Sequence, residues 1–341
     1  MSDTTALDTF REETRDWLET NCPQEMRLGA VHFEDAYEIY RTDAAIEWRD
    51  RAVTRGWTAP TWPTEYGGGG LDATHHKVLT EEMSRIKALP AATGMGLAMI
   101  GPTILELGTQ EQRERHIPKI VTGEAQWCQG YSEPGAGSDL ASLSTRAERD
   151  GDHYVVNGSK IWTSFAHRAN KIFCLVRTSS EGRPQAGISF LLADMNLPGI
   201  SVSKITGLDG TVEQCQVFFN NVRIPCINLV GEENKGWGVA KYLLEFERGG
   251  HNYSNDHQKL LAKVRDISGE QFSDSGLLFK DDPFFISKLS ELEIDVLALE
   301  VTEQRIKSSD NPGALTSIAK LVGTELGQKI TELSVDALGS Y

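Results

Sequence analysis

The sequence lacks a long apolar run, a paired cysteine motif and a secretory leader. No apolar stretch approaches the roughly 20 residues of a membrane span, so none is expected. Residues 1–10 are polar and acidic, without the basic and apolar segments of a secretory signal. The five cysteines are scattered and form no C-x-x-C pair. This argues against a zinc site or a disulfide framework and favours a reducing cytoplasmic location.

Basic residues are also few, with 34 lysines and arginines against 49 acidic residues and a formal net charge of −15. Such a charge repels phosphate backbones, so we expect no nucleic-acid partner. The pair His75-His76 is the only hint of a metal site. Adjacent histidines point to different sides of a helix, and no acidic or cysteine partner lies at ligand spacing, so we expect no metal.

Hydrophobic periodicity divides the chain into three regions. Residues 1–122 follow helical spacing, residues 123–231 consist of short β-rich runs, and residues 232–341 are helical again. We therefore expect an α+β fold with an N-terminal helical domain, a middle β-barrel or sandwich domain and a C-terminal helical bundle.

Local patterns in the middle region predict individual strands. Asn157-Gly158 lies between two β-rich runs, which is the pattern of a two-residue hairpin. Further strands are expected over residues 172–176, 188–192 and 217–219, since each run is rich in β-branched and aromatic residues.

The segment from Gln129 to Asp139 holds three glycines and a proline in eleven residues, so it is not a helix interior. Such a loop exposes main-chain N–H groups and hydroxyls that bind a flat, hydrogen-bonding cofactor or a phosphate. Some twenty residues on, the segment from Lys160 to Ser164 combines the large aromatic Trp162 with two hydroxyls. Alone, the glycine-rich loop is equally compatible with a plain turn.

Taken in order, four segments resemble the landmarks of the acyl-CoA dehydrogenase family, and the resemblance covers about residues 5–341. The four are Trp57…Pro63…Tyr66-Gly67-Gly68, the loop at 131–139, the segment at 157–164 and Asn221-Val222-Arg223-Ile224-Pro225. The resemblance implies an FAD-dependent α,β-dehydrogenation of an acyl-CoA thioester to the trans-2-enoyl-CoA. It also implies an oligomer acting in β-oxidation of fatty acids or in steroid degradation.

The resemblance assigns residues to the flavin. In the family the first loop contacts the pyrimidine edge, an aromatic packs on the isoalloxazine, and a hydroxyl lies near flavin N5. Trp162 and Ser164 match the last two, although most members carry threonine where this chain has Ser164. The expected cofactor-binding residues are Gln129, Tyr131, Ser132, Gly137, Ser138, Trp162 and Ser164. Tyr131 departs from the small aliphatic residue often found at its position.

The reaction implied by the resemblance needs a base that takes the α-proton while the β-hydride passes to flavin N5. A carboxylate in an apolar site has a raised pKa and suits this role. The family places the base on the first helix after the β domain or near the C-terminus, and the chain stops before the latter. Glu247, immediately before Arg248, matches the helix-borne position, so the resemblance implies Glu247 as the base, with Glu245 as the competing acid. Ser138, Leu244 and Arg248 are the expected substrate-binding residues, although Arg248 could equally be structural.

Two departures from the family concern how FAD is held between subunits. Residues 268–276 contain no arginine where homotetrameric members carry an Arg-x-x-Phe-Gly-like segment, and the last helical segment is missing. One interpretation is an FAD-dependent subunit of a heteromeric bacterial dehydrogenase of the steroid side-chain or pimeloyl-CoA type. The other is a truncated chain that binds flavin weakly.

The resemblance also implies partners. These are an acyl-CoA substrate, electron-transfer flavoprotein or a similar acceptor, and a second acyl-CoA dehydrogenase-like subunit in a heterotetramer, or otherwise a homo-oligomer. Two other functions remain open. One is an acyl-CoA oxidase, whose reduced flavin reacts with oxygen, and the other is a non-catalytic subunit that completes another chain's flavin site.

Overall fold

The structure, a computed structural model, falls into two compact units, Met1–Leu243 and Leu244–Tyr341. At residues 2–5 and 247–249 only the main chain is described. The described residues are 2–29, 31, 38–249, 252–309 and 313–338.

The first unit opens with helices, as the periodicity predicts. They are α1 (Ser2–Asn21), α2 (Asp43–Val53), α3 (Ala73–Arg85), α4 (Gly101–Leu107) and α5 (Gln110–Val121). A π-helical turn at Gly96–Ile100 leads into α4. Leu18 and Trp48 are buried in a core that α1, α2 and α3 share. Thr109 caps α5 in a capping box with Gln112, which satisfies two main-chain N–H groups of the first turn.

A buried carboxylate joins α1 to α3. Glu82 is 2% exposed and accepts hydrogen bonds from Arg11, Arg15 and Arg85 over N–O distances of 2.7–3.2 Å. The hydrogen bonds from Arg15, Arg85 and Arg11 lower the pKa of Glu82 to about 2, because they favour the charged carboxylate. The Glu82 carboxylate is thus the centre of an ionic cluster that fixes one helix against the other.

The middle of the chain forms a single sheet. Its strands are β1 (Trp127–Gly130), β2 (Arg146–Asp150), β3 (His153–Lys160), β4 (Lys171–Arg177), β5 (Ile188–Asp194), β6 (Ile200–Lys204), β7 (Cys215–Pro225) and β8 (Leu229–Val230). Their order is β6-β7-β3-β2-β4-β5-β8, and β1 pairs in parallel with β4. Apart from the parallel pairs β1–β4 and β2–β4, neighbouring strands are antiparallel. Within the described residues β6 and β8 do not pair with each other, so the sheet is open rather than a closed barrel.

Strands β3, β4, β5 and β7 share one apolar core. Each of the four strands contributes an almost completely buried side chain to it, for example Tyr154, Ile172, Leu191 and Val217. The strands predicted at 172–176, 188–192 and 217–219 are confirmed as parts of β4, β5 and β7.

The hairpin predicted at Asn157-Gly158 is wrong. Both residues lie inside β3, where the register against β7 shifts between Val156 and Gly158. Gly158 has φ +145°, and a Cβ added there would approach Thr145 to 2.6 Å. The turn between β2 and β3 lies instead at Gly151, whose φ is +62°. A glycine at a bulge with close backbone approach produces the same sequence signal as a hairpin turn.

Helix α6 (Gly236–Gly249) contains the boundary between the two units, after Leu243. The second unit continues with α7 (Tyr253–Ser268), α8 (Pro283–Lys307) and α9 (Leu315–Asp336). These three helices pack around one apolar core, which confirms the expected C-terminal helices. The sequence reasoning did not single out α7. Across the described ranges, no helix combines the length and the apolar character needed to cross a membrane.

Candidate functional site

The glycine-rich loop leaves the end of β1 and folds back on itself. Glu133 and Ala136 exchange both main-chain hydrogen bonds, at 2.9 and 3.0 Å, across a tight turn. A Cβ added at Gly135 or Gly137 would meet nothing within 4 Å, and Ser138 is exposed. The tip of the loop therefore leaves its main chain and the Ser138 hydroxyl open to a ligand.

Glu133 holds this loop from the inside. Its carboxylate accepts hydrogen bonds from Ser144 N at 2.6 Å, Ser144 Oγ at 2.9 Å, Thr145 N at 2.9 Å and Lys160 Nζ at 2.7 Å. Lys160 is 0% exposed, and its Nζ also donates to Tyr131 O at 3.3 Å. Both partners of this ion pair are therefore removed from water.

The charges of the pair follow from these contacts. Burial raises the pKa of Glu133, but the charge of Lys160 and the hydrogen bonds outweigh burial and lower it to about 2. Burial also lowers the pKa of Lys160, which favours the neutral amine. Four donors surround the carboxylate and two oxygens accept from Nζ, so the pair is ionised.

The same lysine begins the second predicted segment, and the two segments are joined there. Ile161 N donates to Ser132 O at 2.9 Å, directly beside the Glu133–Lys160 pair. We call these two contacts the loop clamp. It brings together the two segments that the sequence analysis assigns to one cofactor site.

Beyond the clamp, the second segment adopts strained backbone. Trp162 and Phe165 have φ of +58° and +56°, the left-handed region that is costly for bulky residues. Three main-chain bonds fix this shape: Thr163 N to Cys215 O at 3.0 Å, Cys215 N to Thr163 O at 3.2 Å, and Phe165 N to Glu213 O at 2.7 Å. The result is an indole held outside the core, with Trp162 60% exposed.

Ser164 lies next in a small polar triangle. Its Oγ donates to Glu213 Oε1 at 3.2 Å, while Gln214 Nε2 donates to Ser164 Oγ at 2.9 Å and to Glu213 Oε1 at 2.8 Å. The sequence analysis missed Glu213 and Gln214. They precede the predicted strand at 217–219, and no local pattern shows that this stretch pairs with residues 163–165.

Two predicted cofactor-binding residues at the start of the first loop, Gln129 and Tyr131, have different surroundings. The Tyr131 ring is 6% exposed and packs edge-on against Phe173 and Phe190, at 6.0 and 6.3 Å between centroids. The Tyr131 ring is therefore part of the core and does not face a ligand. Gln129 Nε2 is buried and has no hydrogen-bond partner among the described residues, and the same holds for Thr163 Oγ1.

These features fit a flat cofactor with a hydrogen-bonding edge. The exposed Trp162 ring offers a face for stacking, and the buried amide of Gln129 offers a donor that the chain itself does not use. An open loop tip with accessible main chain lies on the same loop, where a phosphate could be bound. Stacking, edge recognition and phosphate binding are the three tasks of a dinucleotide flavin site.

The remaining predicted site residues belong to the second unit. Leu244 is half-buried on α6, and Glu245, the competing acid, is exposed. The side chains of Glu247 and Arg248 lie outside the described residues. Their roles therefore stay predictions from the sequence.

Two other features of the described residues do not involve the predicted site residues. An open cavity of about 420 Å³, lined in part by Trp62, Tyr66 and Arg113, contains none of the predicted residues. No group of three His, Cys, Asp or Glu side chains in the described ranges could hold a metal ion. His75 instead lies 2.9 Å from Asp72, the N-cap of α3.

Comparisons with known proteins identify relatives of the whole chain. The family model described as "Acyl-CoA dehydrogenase, N-terminal domain" matches residues 4–124, and "Acyl-CoA dehydrogenase, middle domain" matches residues 128–222. The curated relative "Acyl-CoA dehydrogenase IpdE1" of Mycobacterium tuberculosis is 33% identical over 98% of this chain and 86% of its own length. "Acyl-CoA dehydrogenase FadE26" of the same organism is 32% identical over 100% of this chain and 86% of its own length.

Two solved structures also match nearly the whole length of this chain. The ChsE4–ChsE5 complex from Mycobacterium tuberculosis matches with a TM-score of 0.74 and 30% identity, over 98% of this chain and 84% of that chain. The "Tcur3481-Tcur3483 steroid ACAD" matches with a TM-score of 0.72 and 30% identity, over 98% of this chain and 85% of that chain.

Proposed function

Because the chain belongs to the acyl-CoA dehydrogenase family of flavin-dependent oxidoreductases, we propose that it oxidises an acyl-CoA thioester to the trans-2-enoyl-CoA, with FAD as cofactor. The observation that carries this proposal is the loop clamp. It joins, through the buried pair of Glu133 and Lys160, the two segments that the sequence assigns to the flavin. Such rigid support is what a binding site needs to hold a cofactor in one orientation.

In this proposal several groups of the chain together bind FAD. Trp162 would stack on the ring system, and Ser164 would lie near N5. The Gln129 amide and the main chain of Tyr131 and Ser132 would bind the pyrimidine edge, while Gly137 and Ser138 would bind a phosphate. When bound, FAD supplies the acceptor for the β-hydride. Donors at the pyrimidine edge stabilise negative charge on the reduced ring, so these groups also tune the cofactor.

We propose that Glu247 is the base that removes the α-proton of the substrate. A thioester acidifies its α-carbon, and a carboxylate positioned beside it accelerates proton removal. The support is the sequence position of Glu247 on α6, immediately before Arg248, which matches the helix-borne base of the family. Leu244, Arg248 and Ser138 are the proposed contacts to the acyl-CoA.

We further propose that the working form is a heteromer with a second acyl-CoA dehydrogenase-like subunit, and that the acyl group is of the steroid type. Two similar solved structures support this: the ChsE4–ChsE5 complex, and the Tcur3481–Tcur3483 protein described as a steroid ACAD. Residues 268–276 contain no arginine, so another chain would supply that contact to FAD. The electrons would pass in the cytoplasm to electron-transfer flavoprotein or a similar acceptor.

The substitution Glu247→Gln tests the assigned base. The assembled complex should keep its flavin absorbance and lose acyl-CoA turnover by roughly 10²–10⁴-fold, the usual contribution of a positioned general base. Glu245→Gln, on the exposed side of the same helix, is the matched control and should stay active. Both are measured as steady-state turnover with an artificial electron acceptor.

The same preparation separates the heteromer from its alternatives. The visible spectrum is recorded for the chain alone and for the chain mixed with the protein encoded beside it in the genome. Flavin absorbance that appears only in the mixture supports the heteromer, whereas a fully yellow, active homo-oligomer contradicts it. Full activity of the Glu247→Gln complex would favour the non-catalytic subunit that completes another chain's site.

A further inference from the structure

The proposed function uses the tip of the glycine-rich loop but does not say what holds the chain where the loop returns to the sheet. Arg177, half-buried at the end of β4, contacts this return. Its Nη2 donates to Ala141 O at 2.6 Å and to Leu143 O at 3.1 Å, and its Nε donates to Leu143 O at 3.3 Å. Its Nη1 donates to Pro184 O, in the connection between β4 and β5. One guanidinium therefore joins the returning segment to a neighbouring connection of the sheet.

The returning segment, residues 141–145, is held by groups of opposite charge. Its carbonyls accept hydrogen bonds from Arg177, and its N–H groups donate to the Glu133 carboxylate. A guanidinium only donates and an ionised carboxylate only accepts, so neither group can replace the other. Ala141 and Leu143 are 6% and 1% exposed, and loss of the guanidinium would leave buried acceptors without a partner.

The loop tip is fixed on both sides, and one side depends on this segment. On the first side lies the tight turn at residues 133–136. On the second side, the N–H and the hydroxyl of Ser142 both donate to Asp139 O, at 3.1 and 2.7 Å. Gly137 and Ser138, both exposed, lie between the two. A shift of the returning segment would therefore move the two residues that the proposed function assigns to a phosphate.

We propose that Arg177 is a positioning residue for phosphate binding, which fixes the returning segment so that Gly137 and Ser138 stay aligned on a phosphoryl group. This inference rests on the proposed function. The planar guanidinium fork reaches three carbonyls at once, whereas a lysine ammonium is a point charge on a flexible stem. The phosphoryl group belongs to FAD or to the acyl-CoA, and the same loop chemistry suits either.

The substitution Arg177→Lys tests the inference in the assembled complex, because it keeps the charge and removes the fork. FAD is compared with riboflavin, which has the same ring but no phosphate, by titration of the flavin-free complex. The acyl-CoA that the wild type oxidises fastest is compared with the same acyl group on pantetheine, which also lacks phosphate, by steady-state kinetics. Arg146→Lys is the matched control, since Arg146 lies opposite Arg177 on β2 and its side chain is exposed.

We expect Arg177→Lys to raise the Kd of FAD or the KM of the acyl-CoA about tenfold, the size of one hydrogen bond to a charged group. The Kd of riboflavin, the KM of the acyl-pantetheine and kcat should not change, because the ring side of the site and the base are untouched. A rise for FAD identifies the flavin diphosphate as the group bound, and a rise for the acyl-CoA identifies the phosphates of coenzyme A. Arg146→Lys should change none of these constants.

Two other results would overturn the positioning role and leave the proposed function intact. One is an equal loss for the phosphate-free analogues, which would show general damage to the fold, and the other is no change in any constant. A wild-type complex that neither binds FAD nor oxidises an acyl-CoA would overturn both proposals. Arg177→Gln serves where Arg177→Lys does not assemble, because its amide still donates to a carbonyl and buries no charge. It should show the same selective loss, and a loss shared by the analogues would again contradict the inference.

Discussion

Two buried carboxylates in the first unit are paired with cations that differ in exposure to water. Glu82, 2% exposed, binds three arginines whose side chains are 34–44% exposed, whereas Glu133, 5% exposed, binds Lys160, which is 0% exposed. In both cases the pKa of the carboxyl is lowered to about 2. The arginines can return to water if their partner is lost, but Lys160 cannot. The first cluster therefore joins two helices, while the second makes the shape of the two loops of the proposed flavin site depend on a buried ion pair.

The largest effect should come from Lys160→Met, which leaves the Glu133 carboxylate buried without a cation. Breaking a buried pair from one side costs about 3–5 kcal/mol of unfolding free energy. FAD content should fall as well, because the loop clamp loses its ion pair. Denaturant unfolding and the flavin absorbance per protein measure the two losses.

The double variant Lys160→Met with Glu133→Gln sharpens this result. With neither charge left in the interior, it should be more stable than Lys160→Met alone, since contacting residues are not additive. Purely additive losses would mean that the two side chains act independently, contrary to the clamp.

A smaller effect is expected for Glu82→Gln. The amide keeps the shape but loses the charge-assisted hydrogen bonds to Arg11, Arg15 and Arg85, at about 1.5–3 kcal/mol. FAD content should stay at the wild-type level, and loss of flavin would show that the two clusters are not separate. Glu232→Gln, at the exposed pair with Lys235, is the control and should cost less than about 0.5 kcal/mol.

The last effect is a slope, the change of unfolding free energy per pH unit. For Glu82 and Glu133 the folded pKa is about 2, below the ordinary value of 4.5, so the unfolded state binds more protons in between. Their contribution is complete above about pH 4.5 and is lost as the pH falls towards 2, by at most about 1.4 kcal/mol per pH unit each. Glu82→Gln and Glu133→Gln should each flatten this slope in urea titrations at pH 3–6. A slope unchanged in both variants would contradict the lowered pKa values.

The sequence was sufficient where structure follows from local pattern. The capping box at Thr109, the strands of the sheet core and the terminal helices could all be predicted from short-range spacing. The hairpin predicted at Asn157-Gly158 is wrong because a β-bulge and a tight turn both favour glycine, and local sequence does not distinguish them.

The sequence predicts both loops of the proposed site but not the contacts that join them. A lysine such as Lys160 usually lies at the surface, and nothing in its neighbourhood shows that it is fully buried beside Glu133. Glu213 and Gln214 were missed for a related reason. Their role depends on pairing with residues about 50 positions earlier in the chain, and only tertiary structure shows this pairing.

The loop clamp is also a short-range structure along the chain. Glu133 and Lys160 are 27 positions apart, and the clamp itself lies within residues 132–161. Closing so short a segment costs little chain entropy and is fast compared with joining distant parts of a sequence. During synthesis on the ribosome, these residues emerge before any of the second unit has been made. The loop clamp can therefore form early in synthesis, and the Trp162 segment takes its final shape once residues 213–215 follow.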